Sequence, residues 1–237
     1  MENIVPMVVC VNYSDYLEET LRCNRLFFKD YYVLTKDTDK DTKNVCDFYD
    51  VNCIIFDENT YNAHSCSFNK SGMVHQLQKL CHEKYPDAWM LLLDGDICLP
   101  EDFVQLFTNK VNQLDRNALY GMKRKDCNTY DDYINFNEQN YGGDHNAGYF
   151  QMYFRKDIYY DTFSDNCSNC DMVFQHRFSP RYLLCDNSYV VHLGQNTVNH
   201  SGRHSAQWHE LSPVYKLLER EKELIKEEQR LKALLGL

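Results

Sequence analysis

Asp94, Gly95 and Asp96 follow directly on the most apolar run in the chain, Ala88 to Leu93 (AWMLLL). A buried strand ending there would deliver two carboxylates, one residue apart, to the edge of a sheet. Carboxylate oxygens are hard ligands that suit Mg²⁺ or Mn²⁺. Gly95 between them would let a bulky ligand approach the backbone. The same spacing recurs in Asp37-Thr38-Asp39 and Asp39-Lys40-Asp41. Those copies sit in a hydrophilic stretch, where solvated carboxylates in a turn are expected. Asp-x-Asp alone is a weak pattern, and its plain reading is a strand-ending turn. The apolar strand sets the third copy apart.

The elements that must position this motif alternate between strand-like and helix-like segments. Val5 to Val11 is a continuous apolar run, as a strand buried on both faces would be. Ser14 can cap a helix running to about Phe27. Tyr31 to Thr35 reads as a second strand, and Lys43 to Tyr49 as a short helix after a polar turn. Cys53 to Phe56 reads as a third strand, Ser71 to Tyr85 as a helix, and Ala88 to Leu93 as the fourth strand. Pro100 then opens a helix to about Leu114. This rhythm predicts an α/β fold, a single Rossmann-like domain with a mostly parallel central sheet. Such sheets bind ligands at the carboxyl ends of their strands. Lys123 to Asp144 is polar and reads as a long loop that could cover a substrate. Tyr149 to Phe154 then reads as a strand, Cys170 to Phe178 as a helix and Ser188 to Leu193 as the last strand. Residues 211–237 form an amphipathic stretch with Leu217, Leu224 and Leu231 at heptad spacing. It reads as a helix packed on the domain formed by residues 1–210, with weak self-association through a short coiled coil as the alternative.

An apolar strand, Asp-Gly-Asp and then a Pro-Glu-Asp helix start together resemble the GT-A class of nucleotide-sugar glycosyltransferases. Asn146-Ala147-Gly148 before an apolar strand is similar to the segment that touches the donor sugar in retaining members. Val190-Val191-His192-Leu193-Gly194 resembles a late motif whose His supplies a further metal ligand. More loosely, the whole chain is similar to glycosyltransferase domains of large algal viruses. The resemblance implies a GT-A fold and transfer of a sugar from a nucleotide-diphosphate donor, a UDP-sugar, to a glycan or other hydroxyl acceptor. It implies a Mn²⁺ or Mg²⁺ ion held by Asp94, Asp96 and His192 on the donor diphosphate. The donor would then meet Asn12, Tyr13, Thr35, Asp37, Asn69 and Lys70 at the first strands. Asp94, Gly95, Asn146, Ala147 and Gly148 would lie along it, with Asn196, His200 and Arg203 near the departing diphosphate. Asp171, read as opening its helix, is the first candidate for the catalytic carboxylate. Asp144, beside His145, is the second. Cys170 stands where some retaining members carry Gln, so the stereochemical outcome stays open.

Two other readings compete. Phosphatases of the haloacid dehalogenase type also carry Asp-x-Asp after an apolar strand, but their motif continues with Thr or Val where this chain has Cys98, and it lies nearer the N-terminus. A nucleotide-sugar-binding module without turnover would keep the same residues. The net charge of -10 argues against a nucleic-acid binder, which needs a basic face. No apolar run is long enough to cross a bilayer. The 11 cysteines are scattered, with Cys167 and Cys170 the only close pair, and read as reduced thiols rather than zinc ligands. With no secretory signal in view, the expected location is the cytoplasm, that of the host for a virus-encoded chain.

Overall fold

The apolar runs around Val8 and Leu91 become the two central strands of a seven-stranded sheet, each covered on both faces. A computed structural model describes residues 3–61, 68–162, 167–195, 199, 203–205 and 208. The chain runs β1 (Ile4–Val9), α1 (Ser14–Asn24), β2 (Tyr32–Thr35), α2 (Lys40–Phe48), β3 (Asn52–Ile55), α3 (Glu58–Tyr61), α4 (Lys70–Lys84) and β4 (Trp89–Asp94). It continues through β5 (Ile97–Cys98), α5 (Phe103–Lys110), β6 (Leu119–Gly121), β7 (Lys123–Cys127), α6 (Tyr130–Ile134) and β8 (Gln139–Asn140). The last described elements are β9 (Phe150–Tyr153), α7 (Cys167–Gln175), β10 (Arg181–Leu183) and β11 (Tyr189–Leu193).

The larger sheet has the order β10-β6-β9-β4-β1-β2-β3. Strands β3, β2, β1 and β4 are parallel, while β9 runs antiparallel to both β4 and β6. Successive side chains on β1 and β4 point to opposite faces, so both faces must be apolar. Val8, Leu91 and Leu93 join one core with Leu17 and Leu21 of α1 and Phe103 of α5. Val5, Met7, Met90 and Leu92 join another with Leu77 of α4 and Phe174 of α7. The chain leaves β1 toward β2 and β3, then returns to place β4 on the other side. That reversal opens a crevice at the carboxyl ends of β1 and β4. Asp94 lies there, paired in register with Val9.

A smaller sheet, in the order β5-β11-β7-β8, stands beside this crevice. One of its two inner strands, β7 (KRKDC), lies inside the stretch expected to be a long loop. Its polarity hid it, because Arg124 and Asp126 share a face and satisfy each other at 2.7 Å. The same stretch also holds α6, closed by a capping box between Thr129 and Asp132.

Two other expectations change. Helix α2 starts at Lys40, because Asp39 caps it by accepting from Thr42 N. Asp39 is therefore only 5% exposed, not solvated. Helix α7 starts at Cys167, so Asp171 lies one turn inside it rather than at its opening. The nine described free cysteines carry unbridged thiols, and six are buried. The C-terminal stretch 211–237 and Asn196 and His200 lie outside the described residues. Among the described residues no helix is long and apolar enough to cross a membrane.

Candidate active site

Asp94 ends β4, and Gly95 and Asp96 turn the chain into β5. Thr20 of α1 holds this turn by donating to the Gly95 carbonyl at 2.9 Å. A Cβ on Gly95 would meet Cys10 and Val8 only at ordinary contact distance, so the fold itself does not require glycine there.

The two carboxylates face different partners. Asp94 accepts from Lys70 Nζ at 2.5 Å. Lys70 is the first residue of α4, whose start is capped by Asn69 accepting from Gly72 N at 3.0 Å. Burial works against the Lys70 ammonium, but Asp94, Cys170 and Asp171 together hold its pKa above the ordinary lysine value. Burial, reinforced by Asp96, lifts Asp94 against the pull of Lys70.

Asp96 instead meets His192 of β11, with Oδ2 3.4 Å from Nε2. Its other oxygen, Oδ1, is buried without a hydrogen-bond partner among the described residues. Burial opposes ionisation of Asp96, yet the charges of His192, Arg124 and Lys70 bring its pKa below the ordinary value. On the far side of the imidazole, Nδ1 lies 3.1 Å from Asp126 Oδ1, within ion-pair range though off the line of a hydrogen bond. His192 and Asp126 are direct cross-strand neighbours, so the β7–β11 register sets this contact. Burial pulls the His192 pKa down, but the flanking carboxylates outweigh it and raise it to about 9. Asp96, His192, Asp126 and Arg124 thus form one continuous chain of charges.

Asp171 belongs to the Asp94 side. Its Oδ2 accepts from Gly148 N at 2.9 Å and its Oδ1 from Met172 N at 2.8 Å. A Cβ on Gly148 would run into this carboxylate. Ala147 packs against the first core, and the Asn146 carbonyl accepts from Gln151 Nε2 at 3.0 Å. The Asn146 side-chain oxygen is buried without a partner among the described residues. Gly121 of β6 makes room for the segment, since a Cβ there would overlap the His145 carbonyl. Asp144 is turned elsewhere, toward Asn146 N at 2.8 Å and Gln175 Nε2 at 3.2 Å.

At the β1 and β2 end, Asp39 ties the strand termini together. It accepts from Asn12 N at 2.7 Å, Thr35 Oγ1 at 3.0 Å and Thr42 Oγ1 at 2.8 Å. Asn12 is held in the left-handed region at φ 57°. Tyr13 stacks on Tyr16 at 4.8 Å, and burial followed by the Asp96 charge raises its pKa. The Arg203 guanidinium lies 5.0 Å from the Tyr13 ring and grips the buried Asp15 with both terminal nitrogens. Asp37 is left outside: its side chain is 85% exposed and pairs with Lys43 at 2.8 Å.

Sequence reasoning missed Asp15, Asp39, Arg124 and Asp126. Asp39 had a signal, an Asp three residues before Thr at the head of a polar helix. The alternation in KRKDC was the only trace of Arg124 and Asp126.

Among the described residues, no group of three or more His, Cys, Asp and Glu side chains forms a ready metal cage. Asp96 nonetheless fits a hard cation, and His192 would join it once its proton is displaced, since imidazole ligates a metal only when neutral. The orphaned Asp96 oxygen lacks a positive partner, and Mg²⁺-type ions often take one or two carboxylates and complete their shell with phosphate and water.

No protein-family model and no curated protein matches the chain. Among solved structures, it is similar to the mannosyltransferase PcManGT from Pyrobaculum calidifontis in complex with GDP-Man and Mn²⁺. That likeness has 12% identity and a TM-score of 0.49, over 88% of this chain and 59% of that one. It is also similar to glucosyl-3-phosphoglycerate synthase from Mycobacterium tuberculosis in complex with Mn²⁺, UDP and glucosyl-3-phosphoglycerate. There the identity is 11% and the TM-score 0.40, over 52% of this chain and 44% of that one. The chain therefore spans little more than half the length of the first and less than half of the second. It resembles GT-A glycosyltransferases in structure at very low identity. With both TM-scores below 0.5, the functional reading rests on the residues of the site.

Proposed function

We propose that the chain is a glycosyltransferase that moves a sugar from a nucleoside-diphosphate donor, a UDP-sugar, to a hydroxyl of a glycan acceptor. The observation that supports this best is the placement of Asp94 and Asp96 at the topological switch of the sheet, with His192 brought to Asp96 from a second sheet. Asp96 and His192, with Asp94 directly or through water, would hold Mn²⁺ or Mg²⁺. The bound ion would neutralise charge on the leaving diphosphate.

The chain's own residues do the rest. Asp126 fixes the imidazole from behind, leaving Nε2 toward Asp96. Lys70, anchored by Asp94, presents a cation beside the same crevice. Asn12 and Thr35, tied through Asp39, shape the end of the crevice where base and ribose would lie. Tyr13 forms its wall, and Arg203 braces that wall through Asp15. Asp171 is the carboxylate for the sugar side, since both its oxygens are oriented by backbone N–H groups and it lies in the electrostatic neighbourhood of Lys70 and Asp94. Asp144 is the second candidate.

The test is thermal. UDP at about one hundred times its Kd should add about 2.7 kcal/mol when Mn²⁺ is present. That corresponds to a Tm rise of roughly 5–10 °C for a domain of this size. Equal stabilisation in EDTA would count against the ion-bridged donor. Hydrolysis of a nucleotide sugar would separate a transferase from a binding module. Phosphate trapped on Asp94 would mark the phosphatase.

A further inference from the structure

A cavity of about 210 Å³ lies beside the smaller sheet, lined by Lys123, Arg124, Lys125, Tyr141, His145 and Tyr189. It is cationic in a chain whose net charge is -10. Arg124 is 7% exposed, and its Nη2 is buried without a hydrogen-bond partner among the described residues. His145 Nδ1 is buried without one as well. A guanidinium N–H left unmatched in a buried setting costs free energy unless an acceptor arrives.

The other charges around the cavity do not supply that acceptor. Arg124 Nε is satisfied by Asp126 at 2.7 Å, while its guanidinium stacks over Tyr141 at 4.0 Å and Tyr149 at 4.9 Å. Lys125 Nζ is 3.6 Å from Glu138 and 3.8 Å from the centre of the Tyr189 ring. Lys123 Nζ donates to the Asp186 carbonyl, a neutral group, at 2.6 Å. Asp144, the next carboxylate along the loop, is turned to Asn146 N and Gln175. Three cations are therefore set against two carboxylates: Lys123 is left without a charged partner, and Arg124 Nη2 without an acceptor among the described residues.

The cavity also adjoins both halves of the candidate site. Arg124 reaches His192 through Asp126, and His145 precedes the Asn146–Gly148 segment that contacts Asp171. We propose that this cavity is an acceptor subsite that takes an anionic group, a carboxylate or a phosphate, carried by the sugar or glycan that receives the transferred residue. The assignment rests on the transferase reading. The anion accepts from Arg124 Nη2, with Lys123, Lys125 and His145 around it, and Tyr141 and Tyr189 offer faces on which a sugar ring can stack. A cavity of this size has room for the acidic head of an acceptor.

Calorimetric titration of the full chain with glucuronate, glucose 6-phosphate and glucose, in EDTA, tests the proposal without turnover. At least one anionic sugar should bind roughly tenfold or more tightly than glucose, as a charge-assisted hydrogen bond predicts. Comparison of the two anions distinguishes carboxylate from phosphate. Arg124→Gln should remove the advantage and Arg124→Lys should restore part of it. Lys125→Met and His145→Gln, which spare the Arg124–Asp126 pair, should each weaken anion binding if Arg124→Gln fails to fold. No preference for either anion would overturn the proposal. So would loss of binding in Lys70→Met with retention in Arg124→Gln, which would place the anion at the donor motif. The Mn²⁺-dependent UDP shift is measured separately. If it persists while no anion binds, the subsite alone is withdrawn. If anions bind but UDP does not, the transferase reading falls and the acceptor role falls with it.

Discussion

His82 should make the protein acid-sensitive by an amount that its surroundings fix. It lies near the end of α4, the helix that carries Lys70 at its other end, and is buried. Nδ1 meets the Lys156 carbonyl at 3.0 Å and so must donate; Nε2 therefore accepts from the Tyr153 hydroxyl at 3.0 Å. Gln78 Nε2 donates to that hydroxyl at 2.8 Å. The network is complete only with a neutral imidazole, because a proton on Nε2 would point at the Tyr153 hydrogen. Burial, aided by the Lys156 charge, lowers the His82 pKa from 6.5 to about 4. The unfolded chain then binds this proton more readily than the folded one. Stability from this group is fully present above pH 6.5 and declines as pH falls toward 4, by about 3 kcal/mol in all. At pH 4.5 roughly 2.5 kcal/mol should be gone. Urea unfolding of the wild type and of His82→Gln, from pH 7.5 to 4.5, isolates the effect, because the other titrating groups are common to both. The wild type should lose about 2.5 kcal/mol more than the variant over that range. Parallel pH profiles would refute the argument.

Asp96→Ala should abolish the Mn²⁺-dependent UDP shift and any metal-dependent transfer. His192→Ala should weaken both less, and the double variant should be no worse than Asp96→Ala if, as proposed, both act through one ion. Asp39→Ala should lower stability by about 2–4 kcal/mol, because several buried donors lose one acceptor, whereas Asp37→Ala should leave the melting temperature nearly unchanged. Gly121→Ala should be strongly destabilising in a thermal melt, because the added methyl meets backbone, while Gly95→Ala should fold with near-native stability. Equal melting temperatures for those two glycine variants would contradict the packing around His145.

The sheet was legible wherever burial on both faces forces an uninterrupted apolar run. That is why the strand carrying Asp94 could be read from Ala88 to Leu93. The smaller sheet was not legible, because β7 pairs Arg124 with Asp126 and sends Lys123 and Lys125 to Asp186 and Glu138, and no hydrophobic pattern marks such a strand. Asp126 was lost for the same reason. Asp39 was misjudged because a run of three nearby aspartates reads as solvated, while its burial depends on Asn12 and Thr35 from two different strand ends. Reading the helix from Cys170 puts Asp171 at its opening, one turn away from where the helix begins. Arg203 shows a related limit: an arginine in a polar loop gave no hint that Asp15, 188 positions earlier, would hold it.

Asp94 closes a strand of the larger sheet, while Asp96 belongs to the turn that feeds the smaller one, and a single residue separates them. The two carboxylates are therefore mounted on different scaffolds joined at Gly95. A change in β8 or the following loop can reshape the cationic cavity without touching β1 and β4, whereas β7 carries the Asp126 that holds His192. Conversely, any shear between the sheets changes the spacing of Asp94 and Asp96 directly. On the transferase reading, a chain built this way can diversify its acceptor while keeping its donor, provided that seam stays in register.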